Sequence, residues 1–249
     1  MTKKRICLIT LICMVLVCYI FVISPRYVVA NWKFYDKNLK EIRIDLRFHG
    51  QDKKIIKVLD RFSDLESIRI NSADTSDLID FPELNSHIDL IFTCSSMENA
   101  KFLDGIKSIG TLHLVETSIH FKGVPTTTVE KMDLLGCSVK GFENLASIDS
   151  LDKIDIHAGT IDGCIANNEL YDSSVFSKFR SVTELEITGI VIKDVSGLMQ
   201  MESLSKLTVG LGALDENQTA MLENKGVSID YSRRYEYDED QGKWVRIQD

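Results

Sequence analysis

One pattern constrains the fold of this 249-residue chain more than any other: a short apolar-x-apolar core that returns nine times. The pairs are Ile42/Ile44, Ile68/Ile70, Leu90/Phe92, Leu112/Leu114, Met132/Leu134, Ile154/Ile156, Leu185/Ile187, Leu207/Val209 and Ile229/Tyr231. Their starts lie 26, 22, 22, 20, 22, 31, 22 and 22 residues apart. Other positions keep the same step. Three residues before a pair stand Leu39, Leu65, Ile109, Val129, Leu151, Val182 and Leu204, with His87 and Gly226 breaking the series. Seven residues after a pair begins stand Met97, Ile119, Val139, Ile161, Ile192 and Leu214. A period of roughly 20 to 50 residues marks repeat architectures.

Each pair reads as a short strand, because side chains alternate between faces with a period of two. Both apolar residues then point inward, and the residue between them points out. No single repeat can bury its apolar side alone, so stability must come from neighbour packing on neighbour. The expected fold class is α/β, with a parallel sheet of about nine short strands. The clearest copies, Val129-Glu-Lys-Met-Asp-Leu-Leu-Gly-Cys137-Ser-Val139 and the stretch from Val182 to Leu198, spell apolar-xx-apolar-x-apolar-xx-small-x-apolar. This spacing resembles the leucine-rich repeat, and the 22-residue step is similar to the bacterial internalin-like subclass. The resemblance covers about residues 39–231 and implies a solenoid, while implying almost nothing about a ligand. One departure stands out. The position where the family places Asn holds Arg47, Ala73, Ser95, Thr117, Cys137, Gly159, Ile190 and Gly212. Backbone amides there need Ser or Thr side chains, or water, as partners, and an irregular solenoid is expected.

Helix signals between strands predict Met97–Ile106 behind Ser96, and Glu216–Asn224 behind Asp215 with Gly226 as the stop. Pro82 and Pro125 mark turns. The 31-residue step carries about nine extra residues around Cys164 to Tyr171, expected to project as an irregular loop. His87 reads as a substituted core residue. Residues Arg234 to Ile247 read as a hairpin capping the open end of the sheet.

From Ile6 to Ile23 every residue except Thr10 is apolar, a run that as a helix spans about 27 Å and so predicts one N-terminal transmembrane helix. Lys3, Lys4 and Arg5 precede it, which places the N-terminus in the cytoplasm and the repeats outside. Cleavage after Ala30, which would secrete the repeats, stays open as the alternative to an uncleaved anchor. The chain thus divides into an anchor or signal segment (1–30), a repeat region (31–231) and a capping hairpin (232–249).

Past residue 30 the chain holds 25 Lys and Arg against 37 Asp and Glu, a formal charge of −12, which excludes nucleic acid as a partner. Cys94, Cys137 and Cys164 follow the apolar run without any Cys-x-x-Cys. Cys94 and Cys137 sit two repeats apart, about 10 Å, too far for a bridge, so only a pair involving Cys164 stays open. There is no Gly-x-Ser-x-Gly, His-Glu-x-x-His or phosphate loop, and no enzyme activity or cofactor is expected.

The outward residue of each strand forms a column: Arg43, Arg69, Ile91, His113, Asp133, Asp155, Glu186, Thr208 and Asp230. Bases lie at one end and acids toward the other. A protein or peptide with cationic groups is the expected partner, with Arg43, Arg69, His113, Asp133, Asp155, His157 and Glu186 as the binding residues on a concave face. Lys131 and Lys153 face the same way and can neutralise the acids in a solvated ion-pair lattice. His113, Asp133, Asp155 and His157 carry atoms of the metal-ligand kind, but their spacing matches no known signature, so no metal is expected. The alternative function is a structural subunit of a membrane assembly, with the repeats as a spacer. A hydrolase or metal enzyme using His113 and His157 is the third class.

Overall fold

The computed structural model describes residues 12–16, 26–30, 33–47, 53–123, 125–238 and 243–246. Residues 12–16 are helical. The rest of the predicted Ile6–Ile23 span lies outside the described residues, and among these no helix is long and apolar enough to cross a membrane.

The first strands, β1 (Tyr27–Ala30) and β2 (Lys33–Asp36), pair antiparallel as a separate hairpin. Then follow β3 (Glu41–Asp45), β4 (Ser67–Asn71), β5 (Leu84–Thr93), β6 (Ser96–Met97), β7 (Ile106–Val115), β8 (Ser118–His120), β9 (Thr128–Lys140) and β10 (Lys153–Ile161). The chain continues through β11 (Ile165–Ala166), β12 (Glu169–Leu170), β13 (Glu184–Thr188), β14 (Val191–Ile192), β15 (Lys206–Leu211), β16 (Ser228–Asp238) and β17 (Lys243–Arg246). Nine of these, β3, β4, β5, β7, β9, β10, β13, β15 and β16, lie side by side in chain order as a parallel sheet, and β17 closes the far edge antiparallel to β16. The molecule is therefore α/β, with a large parallel sheet and few helices.

The register repeats the sequence period. Ile42 aligns with Ile68, Ile68 with Leu90, Leu90 with Leu112, and Leu112 with Met132. Met132 aligns with Ile154, Ile154 with Leu185, Leu185 with Leu207, and Leu207 with Ile229. The first eight apolar pairs are buried in one continuous core. The ninth departs from expectation: Ile229 is half-buried and Tyr231 is 44% exposed, because the sheet's regular stacking ends there.

Six of the parallel strands, β4, β5, β7, β9, β10 and β13, share one left-handed residue just past the apolar pair. Ser72, Cys94, Glu116, Gly136, Ala158 and Gly189, all four residues after a pair begins, have φ between +48° and +71°. One residue further on, Ala73, Ser95, Thr117 and Cys137 form a side-chain-to-backbone hydrogen-bond ladder. The Ala73 amide donates to Ser95 Oγ (3.0 Å) and the Ser95 amide to Thr117 Oγ1 (3.4 Å). The hydroxyls in turn donate to Thr93 O (3.0 Å) and Val115 O (2.9 Å), and the Cys137 thiol to Leu114 O (3.0 Å).

Several expectations are corrected. Ser96–Met97 is a strand paired with Ser118–Ile119, and only Lys101–Gly105 turns helical, as a 3-10 segment, so no helix runs from Met97 to Ile106. His87 is exposed, because a bulge lets Ile88 align with Ile109 and take the buried place. The extra residues near Cys164 do not project. Asn167 and Asn168 both take positive φ, the signature of a two-residue hairpin turn, so β11 and β12 fold back onto the core. Ile165 and Leu170 thereby bridge Ile161 to Ile192 in one buried row. Cys164 is a buried free thiol.

The helix Glu216–Lys225 forms as expected: Asp215 accepts from the Gln218 amide, the Gln218 side chain accepts from the Asp215 amide, and Gly226 ends the helix at φ +96°. The expected C-terminal hairpin is present as Tyr235 aligned with Arg246 and Asp238 with Lys243. The boundary drawn at 231/232 falls inside β16.

Candidate functional site

The outward row runs in register across the sheet. Arg43 aligns with Arg69, His113 with Asp133, Asp133 with Asp155, and Asp155 with Glu186. Arg43 and Arg69 sit apart from the others on β3 and β4, with Ile91 between them and His113. Both are exposed, and Arg43 Nε bonds Glu41 Oε1 of its own strand at 2.7 Å.

The remaining residues form one polar cluster on β7, β9, β10 and β13. His113 Nδ1 lies 3.0 Å from Asp133 Oδ2, and His157 Nε2 lies 3.7 Å from Asp133 Oδ1. The other ring nitrogen of His157, Nδ1, is 2.6 Å from Thr188 Oγ1 and 3.9 Å from Glu186 Oε1. Thr188 is buried, and it is the site residue that sequence reasoning missed. Its signal was positional: it stands two residues beyond Glu186, aligned with His157 on the neighbouring strand.

Asp155 departs from the solvent-facing role expected of it. It is only 4% exposed, because Lys131 and Lys153 on the adjacent register positions fold over it. Lys131 Nζ meets Asp155 Oδ2 at 2.6 Å, while Lys153 Nζ stands 3.6 Å from Oδ1 and 3.6 Å from Glu184 Oε2. Part of the expected ion-pair lattice therefore exists, but it is half-buried rather than solvated.

The electrostatics follow from that burial. Desolvation pushes the Asp133 carboxyl up, yet the His113 hydrogen bond and the charges of His157, His113 and Lys131 outweigh it and hold the group below its ordinary value. Desolvation pulls the Lys131 ammonium down, but the bond to Asp155 and the charges of Asp155, Asp133 and Glu186 carry it above its ordinary value. Two carboxylate oxygens, Asp133 Oδ1 and Asp155 Oδ1, are buried without a hydrogen-bond partner among the described residues. Carboxylate oxygens of Asp133 and Asp155 and a ring nitrogen of His157 all lie within 4.8 Å of one another. Such a group has spare acceptor capacity for a cation.

No protein-family model matches the chain, and no curated protein sequence matches it significantly.

Proposed function

We propose that the chain is a membrane-anchored, extracytoplasmic leucine-rich-repeat module that captures a protein or peptide on the outward face of its parallel sheet. The observation that carries this reading is the segregation of charge along a face in register. Arg43 and Arg69 stand exposed on β3 and β4, and Asp133 and Glu186 stand on β9 and β13, either side of an Asp155 that Lys131 and Lys153 cover. Nine strands at about 4.8 Å spacing make a surface roughly 38 Å long, enough for one extended contact. A partner with cationic groups fits the acidic end.

The solenoid reading draws support from the regular return of each strand beside its predecessor, with the apolar pairs aligned down the whole sheet. An uncleaved anchor draws support from the first hairpin. Val28 and Ala30 are 4% and 6% exposed and join the core cluster, while β1 pairs residue for residue with β2. Cleavage after Ala30 would sever that hairpin and expose both side chains. In this reading the chain binds rather than catalyses, and requires no cofactor.

The test is crosslinking on intact cells expressing the full chain, followed by mass spectrometry, with the charge reversals Asp133→Lys and Glu186→Lys. Loss of the crosslinked partner in the reversed chain, with the fold intact by circular dichroism, is the expected outcome. Capture that survives the reversals but vanishes when the Ile6–Ile23 segment is replaced would overturn it in favour of a structural subunit with the repeats as spacer.

A further inference from the structure

We infer that Asp133, Asp155 and His157 form a binding site for a divalent transition-metal ion, best matched by Zn²⁺. The three come from two neighbouring strands, and their donor atoms lie within 4.8 Å of one another. His157 supplies the strongest argument. In the tautomer whose Nδ1–H donates to Thr188 Oγ1 at 2.6 Å, the Nε2 lone pair faces Asp133 Oδ1 at 3.7 Å. In that state two acceptors face each other across 3.7 Å between half-buried side chains, 17% and 25% exposed, and a cation between them, a metal ion or a proton on His157, offsets their repulsion.

Asp155 brings the second, independent observation. Its side chain is 6% exposed, and its Oδ1 is buried with no hydrogen-bond partner among the described residues, as is Oδ1 of Asp133. A buried carboxylate oxygen left unbonded is costly, and coordination to a cation removes that cost.

The surroundings resemble the support that metal ligands receive. Thr188 fixes the ring orientation of His157, and His113 Nδ1 holds the opposite oxygen of Asp133 at 3.0 Å. Lys131 occupies only Oδ2 of Asp155, at 2.6 Å, and leaves Oδ1 to face the cluster. Among the described residues Lys153, 3.6 Å from Oδ1, competes for it, and its partly exposed side chain has room to swing to solvent. Zn²⁺ bonds N and O donors at about 2.0–2.2 Å, so tetrahedral neighbours sit about 3.3–3.6 Å apart. The 3.7 Å between Asp133 Oδ1 and His157 Nε2 is already near that spacing. The imidazole among the ligands favours Zn²⁺ over Ca²⁺, Mg²⁺ or Mn²⁺, which suit all-oxygen sites. Three protein ligands leave at least one coordination position for water or a partner's group.

The test is calorimetric titration of the full, chelator-treated chain with Zn²⁺, alongside Co²⁺ absorption spectra. One ion per chain should bind, with a Co²⁺ spectrum of N and O coordination and no thiolate band. His157→Gln and Asp133→Asn should each weaken binding at least tenfold while circular dichroism and thermal midpoint hold, and Glu184→Gln should leave affinity unchanged. Should His157→Gln fail to fold, Asp133→Asn and the Co²⁺ spectrum of the unmodified chain decide. No saturable binding, binding indifferent to the two variants, or a thiolate band from Cys94 would overturn the inference. It stands on its own geometry: absent metal with intact partner capture removes this site alone, and lost capture with intact metal binding removes only the partner reading.

Discussion

Adjacent residues in the last half of β10 should respond in opposite directions to the exchange of alanine and glycine. Ala158 has φ +58°, a left-handed conformation that costs a residue with a Cβ about 1–2 kcal/mol. Ala158→Gly removes that strain but adds about 0.5–1 kcal/mol of unfolded-chain entropy, for a net gain of about 0.5–1 kcal/mol. Gly159 has φ +105°, and a Cβ there would overlap the carbonyl oxygen of Cys137 and sit 2.8 Å from its nitrogen. Both are backbone atoms of β9, which aligns Cys137 with Gly159, so no flexible side chain can yield. Gly159→Ala should therefore lose about 3 kcal/mol or more. For a chain of this size the thermal midpoint should rise about 1–4 °C in the first variant and fall about 6 °C or more in the second. Thermal and urea unfolding followed by circular dichroism read both. A destabilised Ala158→Gly, or a neutral Gly159→Ala, would refute the alignment of β9 with β10 and the left-handed position shared by six strands.

Other consequences follow from single contacts. Ser95→Ala should cost about 1–3 kcal/mol in urea unfolding, because the buried Ala73 amide loses its acceptor. Burial pushes the Asp194 carboxyl up, but the backbone amides and hydroxyls of Ser173 and Ser196 hold it down at about 2. A folded value below the ordinary 3.8 gives stability that is full above that pH and lost as pH falls toward 2. Asp194→Asn should thus cost about 1–2 kcal/mol near neutral pH, after discounting for partial exposure, and the cost should shrink in urea unfolding at about pH 2.5. Burial also pushes the Cys137 and Cys164 thiols to about 11 and about 12, whereas Cys94 is exposed. Alkylation near pH 8 with peptide mapping should therefore label Cys94 in the native chain and reach Cys137 and Cys164 only in denaturant.

Much of the architecture was legible because burial enforces a period. A strand that pairs on both sides must keep its apolar residues on one face, and a one-residue slip would turn them all out, so register could be read from the pairs alone. The Ser95 and Thr117 ladder was likewise anticipated from amides that need partners. What escaped depends on turn geometry. Asn167-Asn168 between Ile165 and Ala166 on one side and Leu170 on the other is a hairpin signal, but it lay hidden in what looked like an insertion. His87 misled because a bulge, invisible to a fixed spacing, moved Ile88 inward. At the site, the outward column placed His113, Asp133, Asp155 and Glu186 correctly on one face. It could not foresee that Lys131 and Lys153 would fold over Asp155, because the burial of an outward side chain depends on how far its neighbours reach.

The ordered stacking of the parallel strands is tested most directly by pulsed electron-resonance distances between spin labels placed along one register row. Glu41 on β3 serves as the fixed position, with Lys131, Glu184 and Lys206 as partners on β9, β13 and β15. These lie four, six and seven strand steps away in the sheet order, which at about 4.8 Å per step gives backbone separations of about 19, 29 and 34 Å, somewhat shortened by any curvature. Distances that grow in that order are the expected result. A Glu41–Lys206 distance equal to or shorter than Glu41–Lys131 would contradict the stacking, and with it the face on which the site is built.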